Sequence, residues 1–192
     1  MGIKLYDREG QRLYLTPEER QTFLKAAKSF DAAERTYCET LAYTGCRPSE
    51  VRELTKDRFD FQAKRVMVES KKKRTDGVFR AIPVPPPYLD AMNLAHSLQL
   101  AQKSTKTRKQ PLWTWQATKA YYVVKEVMAE AGISGAHASA KGLRHGFAVN
   151  AAVNKVPLPL IKRWMGHSTL EMTAVYLEVM GDEEDVIAKQ MW

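Results

Sequence analysis

Tyr37, Cys38, Leu41 and Ala42 are spaced as one apolar stripe of a helix, and the surrounding chain supplies both of its ends. The stretch "DAAE" at 31–34 offers Asp31 as N-cap with Glu34 three residues on, and Gly45 is the expected stop. The same device, "TPEE" at 16–19, opens an earlier helix with Thr16 as cap and Pro17 at its first position, running to about residue 29. Pro48 restarts a short helix through residue 54, which leaves Arg47 at the junction beside exposed N–H groups, a place suited to an anion. In "RVMVESKKKRTDGVFRAIPVP" two β-rich runs, 66–70 and 78–84, flank a turn holding Asp76 and Gly77, which predicts a hairpin. A helical pattern covers 87–102 and gives way to the basic, breaker-ended loop "KSTKTRKQP" at 103–111. Three more helices are expected at about 116–131, 140–153 and 157–165, and "STLE" at 168–171 reads as a capping box opening a last helix to about residue 179. "IKLY…RLYL" near the start suggests a second hairpin. The expected architecture is mainly α with a small antiparallel β-sheet, in one domain over residues 1–192.

Composition supports a real core: 192 residues at 44% hydrophobic content can close one domain. No stretch approaches the roughly 20 apolar residues that a membrane span needs, so a soluble, unexported, cytoplasmic (bacterial) protein is expected. Cys38 and Cys46 are too few for a disulfide scaffold and lack the spacing of a zinc site. The net charge of +8 is unevenly spread. Residues 61–125 hold 13 basic and 3 acidic groups, against 11 and 11 in residues 1–60 and 6 and 8 in residues 126–192. A block of that kind is either a solubilising surface or the footprint of a polyanion, most plausibly nucleic acid.

"KGLRHGFA" at 141–148 places Lys141 and Arg144 three residues apart, on one helical face, where both reach a single phosphate. Taken alone they read better as snorkelling surface cations. They are not alone. "TGCRPSEVREL" at 44–54, the basic hairpin, "KGLRHGFA" and "WMGHSTLEMTAVYLEV" at 164–179 together resemble, in chain order, the catalytic domain of the tyrosine recombinases of the phage-integrase type. The resemblance implies that Arg47 and Arg144 are the two catalytic arginines, that the hairpin carries the catalytic lysine, and that His167 precedes the nucleophile Tyr176. Counting from "VMVES" makes that lysine Lys72, and counting back from "AIP" favours Lys73; Lys72 is preferred. Lys71, Lys73 and Arg74, with Lys106, Arg108 and Lys109 of the basic loop, are then expected DNA-phosphate contacts.

Two departures from the family pattern stand out. Lys141 occupies the position three residues before the second arginine where the family usually has histidine; His137, one turn earlier, belongs to the preceding loop. The N-terminal core-binding domain that completes the family's clamp on DNA is also expected to be absent. The residue types suit the chemistry on their own account. Two permanently charged, forked guanidiniums can hold the nonbridging oxygens of an attacked phosphodiester, and a tyrosine hydroxyl can store the bond as a phosphotyrosine, so no cofactor, ATP or metal is required. Lys141 and His167 are placed for proton movement. Nine residues of straight helix would separate His167 from Tyr176 by about 13 Å, so the chain between them must bend. Tyr176 also reads as an ordinary core aromatic, and His145 as a support for the site or a core histidine. The tail "GDEEDVIAKQMW" opens on an acidic, turn-like segment, and the spacing of Val186, Ile187, Met191 and Trp192 predicts one apolar helical face that could dock on its own core; the resemblance implies instead its exchange between subunits. The resemblance implies double-stranded DNA as partner and a homo-tetramer on it, monomeric when free. A DNA-binding regulator without turnover and a type IB topoisomerase are the rival readings.

Overall fold

A computed structural model describes residues 3–70 and 77–179, the last of them by its backbone. Lys71, Lys72, Lys73 and Arg74, and the acidic and apolar tail, lie outside the described residues. Helix α1 (Pro17–Ala26) starts as its sequence dictates: Thr16 accepts from the Glu19 backbone N–H, and the Glu19 carboxylate accepts in return from that of Thr16. A 3₁₀ turn (Ala27–Ser29) completes it. Helix α2 (Ala32–Thr44) is capped by Asp31 and stopped by Gly45 in the left-handed region. It buries eight of its thirteen residues and packs against α1 and the later helices α4 (Pro86–His96), α6 (Ala117–Glu130) and α7 (Ala140–Val153). Around it sits the larger core, with Phe23, Tyr37, Leu41, Ile82, Met92 and Leu143 fully buried. Burying each such side chain contributes about 1.5–3 kcal/mol. Trp113 and Trp115 stack edge-on against Tyr37, as packing residues do.

Helix α3 (Pro48–Arg52) ends two residues earlier than its sequence suggests. The hairpin forms from β2 (Arg65–Glu69) and β3 (Phe79–Pro83), in antiparallel register from Arg65 opposite Pro83 to Glu69 opposite Phe79. A two-residue strand, β1 (Phe59–Asp60), adds to the other edge of β2 and makes the sheet three-stranded. The stretch 87–102 is two helices, α4 and α5 (Leu98–Gln102), because Ser97 adopts φ +50° and the Asn93 side chain takes the Gln99 N–H. That turn lets Leu98 bury completely. Near the start, a single bridge between Tyr6 and Arg12 takes the place of a full hairpin. Among the described residues no helix is long and apolar enough to cross a membrane.

Helix α8 (Leu158–Met165) leads to α9 (Glu171–Ala174) and a 3₁₀ segment (Val175–Val179). Here the capping-box expectation at 168–171 fails. Leu170 stands at the cap position with helical backbone, and the Ser168 hydroxyl donates to Met172 Sδ at 3.3 Å instead. A second, smaller core gathers Leu5 and Tyr14 of the N-terminal segment with Val149, Ile161, Met165 and Tyr176. The N-terminal segment reaches it because Leu15 N–H donates to Gly142 O, and α7 carries glycine where the backbones meet.

Candidate active site

Arg47 is held at the head of α3 by the residue three positions on. Glu50 accepts the Arg47 backbone N–H at 2.8 Å and its guanidinium at 2.9 Å, so the anion expected at this helix start is the helix's own carboxylate. Glu50 also takes a 2.6 Å bond from Arg80, and both of these side chains are almost completely buried. Burial pushes the Glu50 carboxyl up, but Arg80, the Arg47 N–H and the Arg47 guanidinium outweigh it and hold the group below the usual carboxylate range.

Arg144 lies on α7, 8% exposed, and fastens two helix ends. Its Nη1 donates to Gly45 O beyond α2 and its Nη2 to Met165 O at the last turn of α8, each at 2.6 Å. Carbonyls at helix C-termini lack intrahelical partners and favour a cation. Each terminal nitrogen keeps a second N–H for another acceptor. Burial and the neighbouring Arg47 push this guanidinium down to about 10, which leaves it charged at neutral pH. Arg80 Nε grips the adjoining Trp164 carbonyl at 2.9 Å. Just past these anchors Gly166, at φ +63°, turns the chain out of α8, and a Cβ there would lie 3.3 Å from the Arg80 guanidinium. That turn sends His167 inward, with Nδ1 2.9 Å from Thr173 Oγ1 and its ring parallel to that of Tyr176 at 6.2 Å between centroids. The bend required between His167 and Tyr176 comes next, where residues 167–170 belong to no helix and α9 gives way after one turn to the 3₁₀ segment.

Tyr176 has no exposed surface, and its hydroxyl is hydrogen-bonded to His145 Nδ1 at 2.9 Å. Burial raises the hydroxyl to about 12, although Arg144 and Arg47 pull the other way. Both histidines are neutral at physiological pH: burial, with Lys141 and Arg144, lowers His145 to about 4, and burial, with Arg144 and Arg47 foremost among the nearby cations, lowers His167 to about 3. Arg47, Lys141, Arg144, His145, His167 and Tyr176 line one cleft of about 420 Å³. A second cleft of about 570 Å³ shares Arg47 and His167 with it and adds Arg80, Lys162 and Arg163. Five of the six expected catalytic residues therefore meet, and the sixth, Lys72, falls outside the described residues. Lys106, Arg108 and Lys109 are exposed on their loop and line neither cleft. His137 stays away from the cleft, against Glu19 at 3.1 Å. His96 is structural, bonded to Thr36.

The sequence reading missed Glu50 and Arg80. Both had a signal: Glu50 follows Arg47 at the capping-box interval, and Arg80 alternates with Ile82 on the inward face of β3, where an apolar residue is normal.

The model of the phage integrase family matches residues 13–182. The chain belongs to this family. It is 27% identical to the tyrosine recombinase XerA of Thermococcus onnurineus (strain NA1) over 191 residues, which cover 91% of this chain and 64% of that relative. Among solved structures, a crystal structure of XerA recombinase superposes with a TM-score of 0.75 at 21% identity, over 94% of this chain and 65% of the other. XerH site-specific recombinase, solved in a pre-cleavage complex with its difH substrate, gives 0.72 at 18% identity, over 89% and 55%. The fold is thus that of the tyrosine recombinases, and the chain spans less than two thirds of the length of each of these relatives.

Proposed function

We propose that this chain is the catalytic domain of a site-specific DNA recombinase that breaks and rejoins strands through a covalent 3′-phosphotyrosine at Tyr176. The observation that carries the reading is the single cleft lined by Tyr176, two arginines, Lys141 and two neutral histidines. Arg47 and Arg144 hold the nonbridging oxygens and stabilise the charge that grows on them. The Tyr176 oxygen attacks phosphorus, the bond to the 5′ oxygen breaks, and that oxygen leaves as a hydroxyl with a proton from a lysine, Lys72 on the hairpin, assisted by Lys141. A 5′ hydroxyl reverses the step. The phosphotyrosine conserves the bond, so rejoining needs no external energy source, and the guanidiniums supply the cationic charge that the pentavalent phosphorus demands.

The substrate is double-stranded DNA, engaged in the cytoplasm by a homo-tetramer acting on two sites. Lys71, Lys73, Arg74, Lys106, Arg108 and Lys109 contribute phosphate contacts along the flanking duplex. Tyr176 lines the same cleft as Arg47 and Arg144, so a phosphodiester held by the two arginines enters beside a hydroxyl already bonded to His145. A nicked suicide substrate tests the reading: a covalent protein–DNA adduct that disappears in Tyr176→Phe is expected. Intact binding with no adduct refutes it in favour of a DNA-binding regulator, and sequence-independent relaxation of supercoiled plasmid refutes it in favour of a type IB topoisomerase.

A further inference from the structure

We propose that His145 accepts the Tyr176 proton during strand cleavage and returns it on rejoining. The inference rests on the recombinase reading and assigns a role that Lys141, exposed and cationic, is ill suited to fill. His145 Nδ1 lies 2.9 Å from the Tyr176 oxygen, within direct transfer distance. Its Nε2 is enclosed without a partner. Placing the ring proton on Nε2 leaves Nδ1 as acceptor for the hydroxyl proton and strands one buried donor. Placing it on Nδ1 strands the tyrosine proton and a lone pair together, so the first tautomer is preferred.

The other groups around the cleft are unsuited. Arginines cannot accept, Glu50 is saturated by Arg80 and Arg47, and His167 lies parallel to the tyrosine ring with Nδ1 against Thr173. His145 is faced by Lys141 and Arg144 of its own helix, His167 beyond α8, Arg47 at the head of α3 and Tyr176 itself. Burial foremost, with Lys141 and Arg144, keeps the ring unprotonated before the step. As the tyrosine oxygen bonds to phosphorus, its proton moves to Nδ1 and the ring becomes an imidazolium. The phosphoryl group, entering the same cleft, supplies the negative charge that offsets it. In the reverse direction the tyrosine oxygen leaves phosphorus and recovers the proton, and the ring returns to neutral.

The test compares adduct formation in single turnovers by the wild type and by His145→Asn, which keeps an acceptor near the Nδ1 position but cannot take a proton. Thermal unfolding and DNA affinity establish folding, and His145→Gln replaces the first variant if it melts early. The variant is expected to bind DNA like the wild type and to cleave about 10²–10⁴-fold more slowly. That deficit should shrink about tenfold per pH unit as hydroxide substitutes for the missing base. A deficit that stays constant with pH marks a structural role and overturns the proposal. Cleavage as fast as the wild type also overturns it, and faster cleavage shows that the bond merely holds the hydroxyl back. Failure of the wild type to form adduct is a separate result, which sinks the recombinase reading itself.

Discussion

Replacing Glu50 by alanine removes the acceptor of three hydrogen bonds at once: from Arg80 at 2.6 Å, from the Arg47 backbone at 2.8 Å and from the Arg47 guanidinium at 2.9 Å. The Arg80 side chain is 4% exposed and keeps its contacts to the Trp164 carbonyl and Ser70, none of which carries charge. Leaving a cation buried without its counter-charge costs about 3–5 kcal/mol, a large share of the roughly 5–15 kcal/mol that holds a domain together. At about 2–4 °C per kcal/mol for a domain of this size, the melting temperature should fall by about 6–20 °C. Converting Arg80 to methionine in the same protein removes the orphaned charge and fills much of its volume. Glu50→Ala/Arg80→Met should therefore be more stable than the sum of its single variants by about 1–3 kcal/mol. Urea unfolding of the four proteins measures this cycle. A Glu50→Ala loss below about 1 kcal/mol, or effects that add within about 0.5 kcal/mol, would refute the view that the pair is a desolvated unit.

Three further outcomes are expected. The folded state holds His145 and His167 at about 4 and about 3, whereas both sit near 6.5 in an unfolded chain, so unfolding takes up protons below that point. Stability is then full above about pH 6.5 and declines, by up to about 1.4 kcal/mol per unit for each histidine, as acid approaches their folded values; urea midpoints unchanged between about pH 7 and 5 would contradict this. In Gly142→Ala the new methyl would lie 1.8 Å from the His137 carbonyl oxygen, a backbone atom that cannot yield cheaply, so a loss of about 3 kcal/mol or more is expected, and a wild-type unfolding midpoint would speak against the packing described. Arg144→Lys presents one point charge where a fork spans the Gly45 and Met165 carbonyls, so adduct formation should fall about 10²–10³-fold with DNA affinity less affected, and unchanged cleavage would remove Arg144 from the chemistry.

Much of this fold is legible because its helices announce their own ends. Thr16 with Glu19, Asp31 and Gly45 act through local hydrogen bonds that a few residues determine. The break at Ser97 is different in kind: the pattern through 87–102 is continuously helical, and only the burial of Leu98 against distant elements rewards the turn. The failed cap at Ser168 follows the same logic, since His167 and Thr173 bond across the very stretch that a straight helix would have kept apart. Arg47, Lys141, Arg144, His167 and Tyr176, which line one cleft, were singled out in the sequence through the family resemblance. The partners of Arg80 were not, because its bonds to Glu50 and the Trp164 carbonyl span 30 and 84 residues.

Two of the buried guanidiniums, those of Arg80 and Arg144, explain how a cleft assembled from such distant segments keeps its shape. Arg80 and Arg144 take the carbonyls of Trp164 and Met165, consecutive residues at the end of α8, one from the hairpin and the other from α7. His167 follows two residues later, so its position is fixed from both sides at once. Through Glu50 the hairpin is also tied to Arg47. A displacement of the strand that carries the basic tip must then either break a buried ion pair or move Arg47, α8 and His167 with it.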